Sequence, residues 1–294
     1  MNNNVAAIVV CFNPDKKLLD DVLLVLREQV SHIFMFDNSE GESILSSYDC
    51  HNVSVFSLNK NVGIAHAQNF LVNKARSLGY KYALFSDQDT IYPSLYVKKM
   101  FDIYYEFKDK NLGITPSFLI KTADEIDFVS GVISVNSKNQ PYSYKGNDTV
   151  EVLHAISSGM IVSLEIYTKL GGVDDELFID WVDNDLSWRA YINGTPLLGT
   201  ANINICHQLG DEQIKVLGRN FTKRSNLRDY YIVRNGIYLS LFKFRSFGVG
   251  RNYLLKKVFH HILFSFLSSK DKLRTIRYLY TAIKHGFNKR LGKF

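Results

Sequence analysis

Residues 53–89 read VSVFSLNKNVGIAHAQNFLVNKARSLGYKYALFSDQD, and this stretch contains one complete strand–helix–strand unit. An apolar segment at 53–58 ends in an Asn- and Gly-containing turn, helical spacing follows over Ile64–Ser77, and a second apolar segment occupies 82–85. A unit of this kind joins parallel strands, because the helix carries the chain back along the sheet. The stretch therefore predicts an α/β fold.

The same pattern extends toward the N-terminus. The run VAAIVVC at Val5–Cys11 reads as a buried strand, apolar residues at helical spacing follow from Leu18 to Val30, and a short apolar segment occupies 33–36. Four strand–loop–helix repeats in the first hundred residues or so predict a Rossmann-like, mostly parallel sheet with helices on both faces. Further strands are predicted at 112–115, 128–135 and 160–164.

Polar residues follow each predicted strand, where parallel strands of an open sheet end along one ligand-binding edge. They are Asn13, Asp37, Asn38, Asn61, Gly63, Asp87 and Gln88. Each alone is also an ordinary turn residue. Their recurrence after successive strands predicts a binding edge.

The triplet Asp87-Gln88-Asp89 is the sharpest feature of this edge. Residues two apart in an extended segment face the same way, so both carboxylates can face one cleft. Carboxylate oxygens beside substrate phosphates suit Mg²⁺ or Mn²⁺. The alternative is a turn with two solvated acids.

A second acidic cluster lies at 178–189, where apolar spacing predicts a helix that begins near residue 182. Asp183 and Asp185 then lie in the first turn, which stabilises their anionic forms. We interpret Asp185 as a helix cap and Asp183 as a candidate general base for a substrate hydroxyl. Asp180 and Trp181 are candidates for binding a sugar, although Trp181 is also compatible with a core position.

A third cluster, Cys206-His207-Gln208-Leu209-Gly210-Asp211, follows a strand-like segment. His207 is a candidate contact for a metal or a phosphate, and a hydrogen-bonded structural histidine is the alternative. The three cysteines of the chain are widely spaced and match no metal-ligand pattern, so neither a disulfide framework nor a structural zinc site is expected.

Charge divides the chain unequally. Residues 1–214 contain 16 Lys and Arg against 27 Asp and Glu, whereas residues 215–294 contain 19 against 2. In the basic part, 251–267 and 273–287 have the spacing of amphipathic helices with cationic faces, which is typical of helices at an anionic membrane surface. A helical subdomain packed on the core and an oligomer interface are the alternatives. No apolar stretch is long enough to span a membrane, and no secretory signal is recognisable.

Eight motifs in order resemble the family 2 glycosyltransferases, and most of all the bacterial rhamnosyltransferases of O-antigen and polysaccharide assembly. They are Val9-Val10-Cys11-Phe12-Asn13-Pro14, Asp37-Asn38-Ser39, Asn61-Val62-Gly63-Ile64-Ala65, Asp87-Gln88-Asp89-Thr90, Ser158-Gly159, Phe178-Ile179-Asp180-Trp181-Val182-Asp183, His207-Gln208-Leu209-Gly210-Asp211 and Tyr230-Tyr231-Ile232-Val233-Arg234-Asn235. The resemblance covers about residues 5 to 240 and is less specific for the sugar than for the fold.

The resemblance implies a GT-A domain at 1–240, followed by a basic amphipathic helical extension at 241–294. It further implies a dTDP-L-rhamnose donor, a divalent metal ion (Mg²⁺ or Mn²⁺) and inversion at the anomeric carbon. The implied nucleotide-sugar residues are Phe12, Asn13, Asp37, Asn38, Asn61, Gly63, Asp87 and Gln88. Asp89 and His207 would bind the metal ion, Asp183 would be the catalytic base, and Asp180 and Trp181 would contact the acceptor.

One departure concerns the base. Many relatives have Glu-Asp where this chain has Val182-Asp183, so Asp180 or Asp185 remains open as a partner or substitute for Asp183. The expected acceptor is a saccharide, lipid-linked in the simplest case, at the cytoplasmic face of the membrane. UDP-galactofuranose and UDP-glucose are alternative donors. A nucleic-acid-binding protein and a catalytically inactive sugar-nucleotide sensor are the other classes, and no nucleic-acid partner is expected because the acidic residues concentrate at the ligand edge.

Overall fold

Strand β1 (Val5–Cys11) lies in the interior of the sheet, with parallel neighbours on both sides. The computed structural model describes residues 4–107, 111–121, 126–129, 133–135, 141–143, 148–153, 155–208, 213–216, 219–222 and 224–294. The other strands are β2 (His32–Asp37), β3 (Val53–Ser57), β4 (Tyr82–Ser86), β5 (Thr90–Ile91), β6 (Gly113–Lys121), β7 (Ile126–Val129), β8 (Ile133–Val135), β9 (Pro141–Ser143), β10 (Thr149–Val152), β11 (Ile161–Ser163), β12 (Leu197–Gln208), β13 (Gln213–Val216) and β14 (Arg219–Thr222).

Eight α-helices accompany these strands in the described part of the chain. They are α1 (Lys16–Arg27), α2 (Ile64–Ser77), α3 (Tyr96–Glu106), α4 (Leu164–Lys169), α5 (Val182–Ile192), α6 (Asn226–Tyr238), α7 (Gly248–Ser268) and α8 (Lys272–Phe287). The predicted strands around residues 5–11, 33–36, 53–58 and 82–85 and the predicted helices at 64–77 and from 182 are confirmed.

The main sheet has the strand order β10-β12-β6-β11-β4-β1-β2-β3. The run β4-β1-β2-β3 is parallel, and β11 joins it antiparallel to β4. Because β1 to β4 are parallel, their carboxyl ends meet at one edge, as the sequence predicted. The predicted single strand at 128–135 is wrong, since this region forms two separate strands, β7 and β8.

Both faces of the sheet are covered, which explains why β1 is apolar throughout. Ala6 and Ile8 pack in a core with Leu71 of α2, whereas Ala7 and Val9 pack in a second core that includes Leu23 of α1. A strand that is buried on both faces has no solvent-facing side that favours polar residues, so its sequence is a continuous apolar run.

The three C-terminal helices share a third core. Tyr230 and Val233 of α6 pack with Val258 of α7 and with Leu279 and Ala282 of α8. The division into domains at residue 240 stays a prediction. Among the described residues, no helix combines the length and the apolar character that crossing a membrane requires.

Candidate active site

The loop after β2 is shaped by the carboxylate of Asp37. Its two oxygens accept hydrogen bonds from the Ser39 backbone N–H (3.0 Å) and the Ser43 hydroxyl (2.8 Å), and the side chain is buried. The Ser39 hydroxyl in turn accepts from the Asn13 N–H at 2.8 Å. Asp37 therefore joins the loops that follow β1 and β2 at the predicted nucleotide edge.

The side chain of Gln88 holds the end of β1. Its Oε1 accepts from the Phe12 N–H at 2.8 Å, and its Nε2 donates to the Phe12 carbonyl at 3.3 Å. The ring of Phe12 is 48% exposed at this edge. An exposed aromatic ring held on a fixed backbone is suited to stack on a base, whereas the amide of Gln88 already bonds to the protein backbone.

Gly63 connects this edge to the second acidic cluster. The Asn61 side chain accepts from the Gly63 N–H at 2.9 Å, and that of Asn38 accepts from the Val62 N–H at 2.8 Å. Gly63 has φ +86°, and a Cβ there would lie 2.6 Å from the Phe178 carbonyl oxygen, so only glycine fits. The Ile64 N–H also donates to that oxygen at 2.8 Å.

The Asp87–Asp89 segment is fixed by Ser158, a fully buried residue. The Ser158 hydroxyl hydrogen-bonds to Thr90 Oγ1 at 2.6 Å and accepts from the Asp87 N–H at 3.4 Å. The Ser86 hydroxyl donates to the Asp87 carbonyl at 2.9 Å. Ser158 belongs to a motif of the resemblance, but its long-range role as a support was not apparent from the sequence.

The backbone register brings the two predicted metal-binding residues to neighbouring positions. In the β5–β12 pair, His207 lies opposite Thr90, the residue after Asp89. The side chain of His207 lies outside the described residues, as does Asp211. Within the described part of the chain no group of three His, Cys, Asp or Glu side chains forms a metal cluster. The Asp89 carboxylate is a ligand of the kind that Mn²⁺ or Mg²⁺ takes beside substrate phosphates and water.

The loop before α5 is strained. Phe178, Asp180 and Trp181 have φ values of +66°, +62° and +65°, a region that side chains other than Gly rarely adopt. Such strain persists only where the surroundings impose it, and it concentrates at functional sites. Here the surroundings are buried groups of α6.

Asn235 is the main support of this loop. It is fully buried, and its Nδ2 donates to the carbonyls of Leu177 (2.9 Å), Ile179 (2.8 Å) and Asp180 (3.2 Å). The neighbouring Arg234 donates to the Leu177 carbonyl at 3.0 Å. The Tyr230-to-Asn235 motif therefore fixes the backbone that carries the acidic cluster, a role that sequence reasoning missed.

Asp183 combines the features of a general base. It lies in the first turn of α5, lines a large cavity and accepts from the Asn184 N–H at 2.9 Å. Burial raises the pKa of Asp183 to about 6, with the negative charges of Asp180 and Asp87 adding to the effect and the Asn184 N–H opposing it. A carboxylate with a raised pKa accepts protons more readily at neutral pH than an ordinary aspartate.

Asp180 and Trp181 line the same cavity. Asp180 Oδ1 accepts from Arg228 Nε at 3.3 Å, while Oδ2 is buried with no hydrogen-bond partner among the described residues. Burial raises the pKa of Asp180, and Arg228 and Arg224 oppose this rise. Trp181 Nε1 donates to the Ile232 carbonyl at 2.9 Å, and its half-buried ring packs against the core.

Asp185 is not part of this cluster. It is fully buried, and it pairs with Arg189 (2.7 Å) and Lys243 (2.7 Å). Lys243 also pairs with Asp174 at 2.5 Å. The interpretation of Asp185 as a simple helix cap is wrong, because its partners are side-chain cations. A carboxylate enclosed by two cations is unsuited to replace Asp183 as base.

The cavity has a volume of about 1410 Å³, and residues of α6 and α7 form part of its lining. Its basic lining residues are Arg224, Arg228, Lys256, Lys257, His260 and His261. The cationic face of α7 that the sequence predicted for a membrane surface therefore faces the cavity.

Two solved structures have the same fold. The crystal structure of GalNAc-T7 with UDP, GalNAc and Mn²⁺ matches with a TM-score of 0.58 and 13% identity over 88% of this chain and 57% of that one. The structure of S. aureus TarS 1–349 in complex with UDP matches with a TM-score of 0.54 and 12% identity over 97% of this chain and 72% of that one. The fold is the GT-A fold of glycosyltransferases.

The chain belongs to glycosyl transferase family 2, whose family model matches residues 6–164. The dTDP-rhamnosyl transferase RfbF of Shigella flexneri is 28% identical over 240 residues, which cover 81% of this chain and 80% of that protein. The protein is thus a glycosyltransferase, as the order of its motifs predicted.

Proposed function

We propose that this enzyme transfers L-rhamnose from dTDP-L-rhamnose to a hydroxyl group of a saccharide acceptor, with inversion at the anomeric carbon. The similarity to the Shigella rhamnosyl transferase over four-fifths of both chains carries the choice of donor. The edge formed by Phe12, Asn13, Asp37, Asn38, Asn61 and Gly63 is the proposed nucleotide site. We assign Asp87 to the diphosphate, because it belongs to this edge and also lines the cavity.

The proposed reaction is a single displacement. Asp183 takes the proton of the acceptor hydroxyl as that oxygen attacks the anomeric carbon, the bond from this carbon to the diphosphate oxygen breaks, and dTDP leaves with the bonding electrons. Asp180 lines the same cavity and is the proposed contact for a hydroxyl of the acceptor. A divalent ion held by Asp89 and His207 would offset the charge of the departing diphosphate.

Replacing Asp89 by alanine tests the donor and metal site together. We expect dTDP to bind the wild type more tightly with Mn²⁺ than without it, and this gain to disappear in Asp89→Ala, a loss of about tenfold or more in affinity. Isothermal titration with dTDP, with and without Mn²⁺, measures it, and Asp102→Ala on α3 is the control because that carboxylate is exposed. Equal Mn²⁺-dependent gains in wild type and Asp89→Ala contradict the assignment.

We also propose that the enzyme docks on an anionic membrane surface through α7 and α8. Outside the cavity, these helices expose large apolar side chains, namely Leu255, Phe259, Leu263, Phe266, Leu267, Leu273, Ile276 and Tyr280. The predicted apolar stripe of α8 is exposed because the helix buries Thr275, Leu279, Ala282 and Gly286 instead. Exposed cations accompany the stripe at Lys270, Lys272, Arg274 and Arg277. Apolar and cationic side chains on one surface suit an interfacial site.

The triple variant Phe259→Asn, Leu273→Asn and Tyr280→Asn tests this surface, since these side chains are 65%, 73% and 66% exposed and contribute little to the core. We expect it to lose about a hundredfold or more in affinity for phosphatidylglycerol-containing vesicles, measured by flotation. Leu24→Asn with Leu78→Asn is the matched control, because these leucines are equally exposed on the catalytic domain. Unchanged flotation of the triple variant contradicts membrane docking.

A further inference from the structure

The far side of the cavity is cationic. Arg224 and Arg228 come from the start of the α6 region, and Lys256, Lys257 and His260 from one face of α7; we call these five residues the cationic wall. His261, beside them, is engaged with Asp229, to which its Nε2 lies at 2.8 Å. Several cations that line one cavity favour a ligand with concentrated negative charge.

The two lysines of the wall lack a partner of opposite charge. Arg228 lies 3.3 Å from Asp180, but within the described residues neither Lys256 nor Lys257 pairs with a carboxylate. Partial desolvation and the adjacent charge of Lys256 lower the pKa of Lys257. The Lys257 ammonium lies 5.5 Å from the centroid of the Tyr253 ring, and an anion near both lysines would relieve their repulsion.

The position of the wall separates it from the proposed nucleotide site. Among the nucleotide-edge residues in the described chain, the cavity is lined by Asp87 alone. The cavity then passes Asp180 and Asp183, and the wall is formed by helices that follow them in the chain. Since Asp183 is the proposed base for the acceptor hydroxyl, the part of the cavity between α5 and α7 is the acceptor side.

We propose that the cationic wall binds a phosphate or diphosphate group carried by the acceptor. This inference rests on the proposed function, because it takes the acceptor to enter beside Asp183. On α7, Leu255, Phe259 and Leu263 are exposed, while Lys256, Lys257 and His260 line the cavity. One helix thus provides contacts for both the apolar and the phosphorylated parts of an amphipathic acceptor.

The test uses the full chain saturated with dTDP and Mn²⁺, so that the donor site is filled, and titrates it with inorganic pyrophosphate and, separately, with farnesyl diphosphate. We expect both to bind the wild type and to bind Lys256→Gln/Lys257→Gln at least about tenfold more weakly, because two charge-assisted hydrogen bonds are lost. Lys98→Gln/Lys99→Gln on α3 is the matched control: it removes the same charge from two adjacent exposed positions away from the cavity, and we expect it to bind as the wild type does.

The experiment distinguishes a lipid-linked from a soluble phosphorylated acceptor, and it separates failure of the cationic-wall proposal from failure of the proposed donor. Tighter binding of farnesyl diphosphate than of pyrophosphate supports a lipid-linked acceptor, and equal binding supports a soluble phosphorylated one. Loss of dTDP affinity in Lys256→Gln/Lys257→Gln overturns the inference, since the wall would then serve the donor. If Lys256→Gln/Lys257→Gln loses binding to phosphatidylglycerol vesicles but binds pyrophosphate as the wild type does, the inference is also overturned. If pyrophosphate binding requires the two lysines but dTDP does not bind the wild type, the assignment of the cationic wall is supported and the proposed donor is contradicted.

Discussion

Asp183→Asn is expected to reduce release of dTDP from dTDP-L-rhamnose by about 10²- to 10⁴-fold, because the amide cannot accept the proton of the attacking hydroxyl. Affinity for dTDP should stay within a factor of about two, since the substitution preserves shape and the proposed nucleotide edge lies on other loops. Water can take the place of the acceptor, so the assay needs only the donor, Mn²⁺ and detection of dTDP.

The pH dependence provides the internal control for this variant. Because burial raises the pKa of Asp183 to about 6, the wild-type rate should rise as pH increases through about 6 and level off above it. Asp183→Asn should lack this rise, and Asp102→Asn should keep it. If dTDP affinity falls as far as turnover in Asp183→Asn, the residue binds the donor and is not the base.

The raised pKa also has a consequence for stability. A carboxyl group whose native pKa exceeds its unfolded value destabilises the native state once both states ionise, here by roughly 3 kcal/mol. The loss develops as pH rises from about 4 to about 6 and is complete above that range. Asp183→Asn should therefore melt at a higher temperature than the wild type near neutral pH, and at a similar temperature in acid.

Asn235→Ala is expected to lower the free energy of unfolding by about 2–4 kcal/mol, because three buried carbonyls lose their common donor. The strained backbone at 178–181 should relax, which displaces Asp180 and Trp181 and shifts the start of α5. Chemical denaturation measures the stability. Release of dTDP from the donor, assayed well below the melting temperature, measures the catalytic effect.

The matched control is Asn193→Ala at the end of α5, where an exposed amide donates only to the Arg189 carbonyl. It should cost a few tenths of a kcal/mol and leave turnover unchanged. If Asn235→Ala is destabilised but turns over donor at the wild-type rate, the amide supports the fold without positioning the site. If both variants behave alike, the loop does not depend on Asn235.

The nucleotide edge was predictable because its determinants are local. Each of β1 to β4 is an apolar run that ends in Asn, Asp or Gly, and topology alone places such ends together. The helix that begins at Val182 could likewise be predicted from spacing, and with it the first-turn position of Asp183. Predicting these features does not require knowing which segments distant in sequence contact each other.

The rest of the site depends on contacts between distant parts of the chain. Asn235 meets the 177–180 backbone across more than fifty residues of sequence, and Ser158 meets Thr90 across 68. The sequence shows both as polar residues in or beside apolar segments, with no indication of their partners. Asp185 was misread in part for the same reason, because Lys243 is distant in sequence, although its other partner, Arg189, lies only four residues along the same helix.

The basic extension shows how a correct pattern can lead to an incomplete interpretation. Amphipathic spacing correctly predicted helices in the C-terminal region, but spacing does not state which face meets the protein. Leu254 and Val258 are buried, so the side of α7 that carries them packs on the protein. In this orientation Lys256 and Lys257 line the cavity. The exposed apolar stripe remains on the other side.

The most direct measurement is the change in melting temperature of the wild-type protein with dTDP-L-rhamnose, UDP-glucose and UDP-galactofuranose, each with and without Mn²⁺. We predict the largest increase with dTDP-L-rhamnose, and a larger one in the presence of Mn²⁺. A larger increase with either UDP-sugar, or no increase with any of the three, would contradict the assignment of this enzyme as a dTDP-rhamnose-dependent transferase.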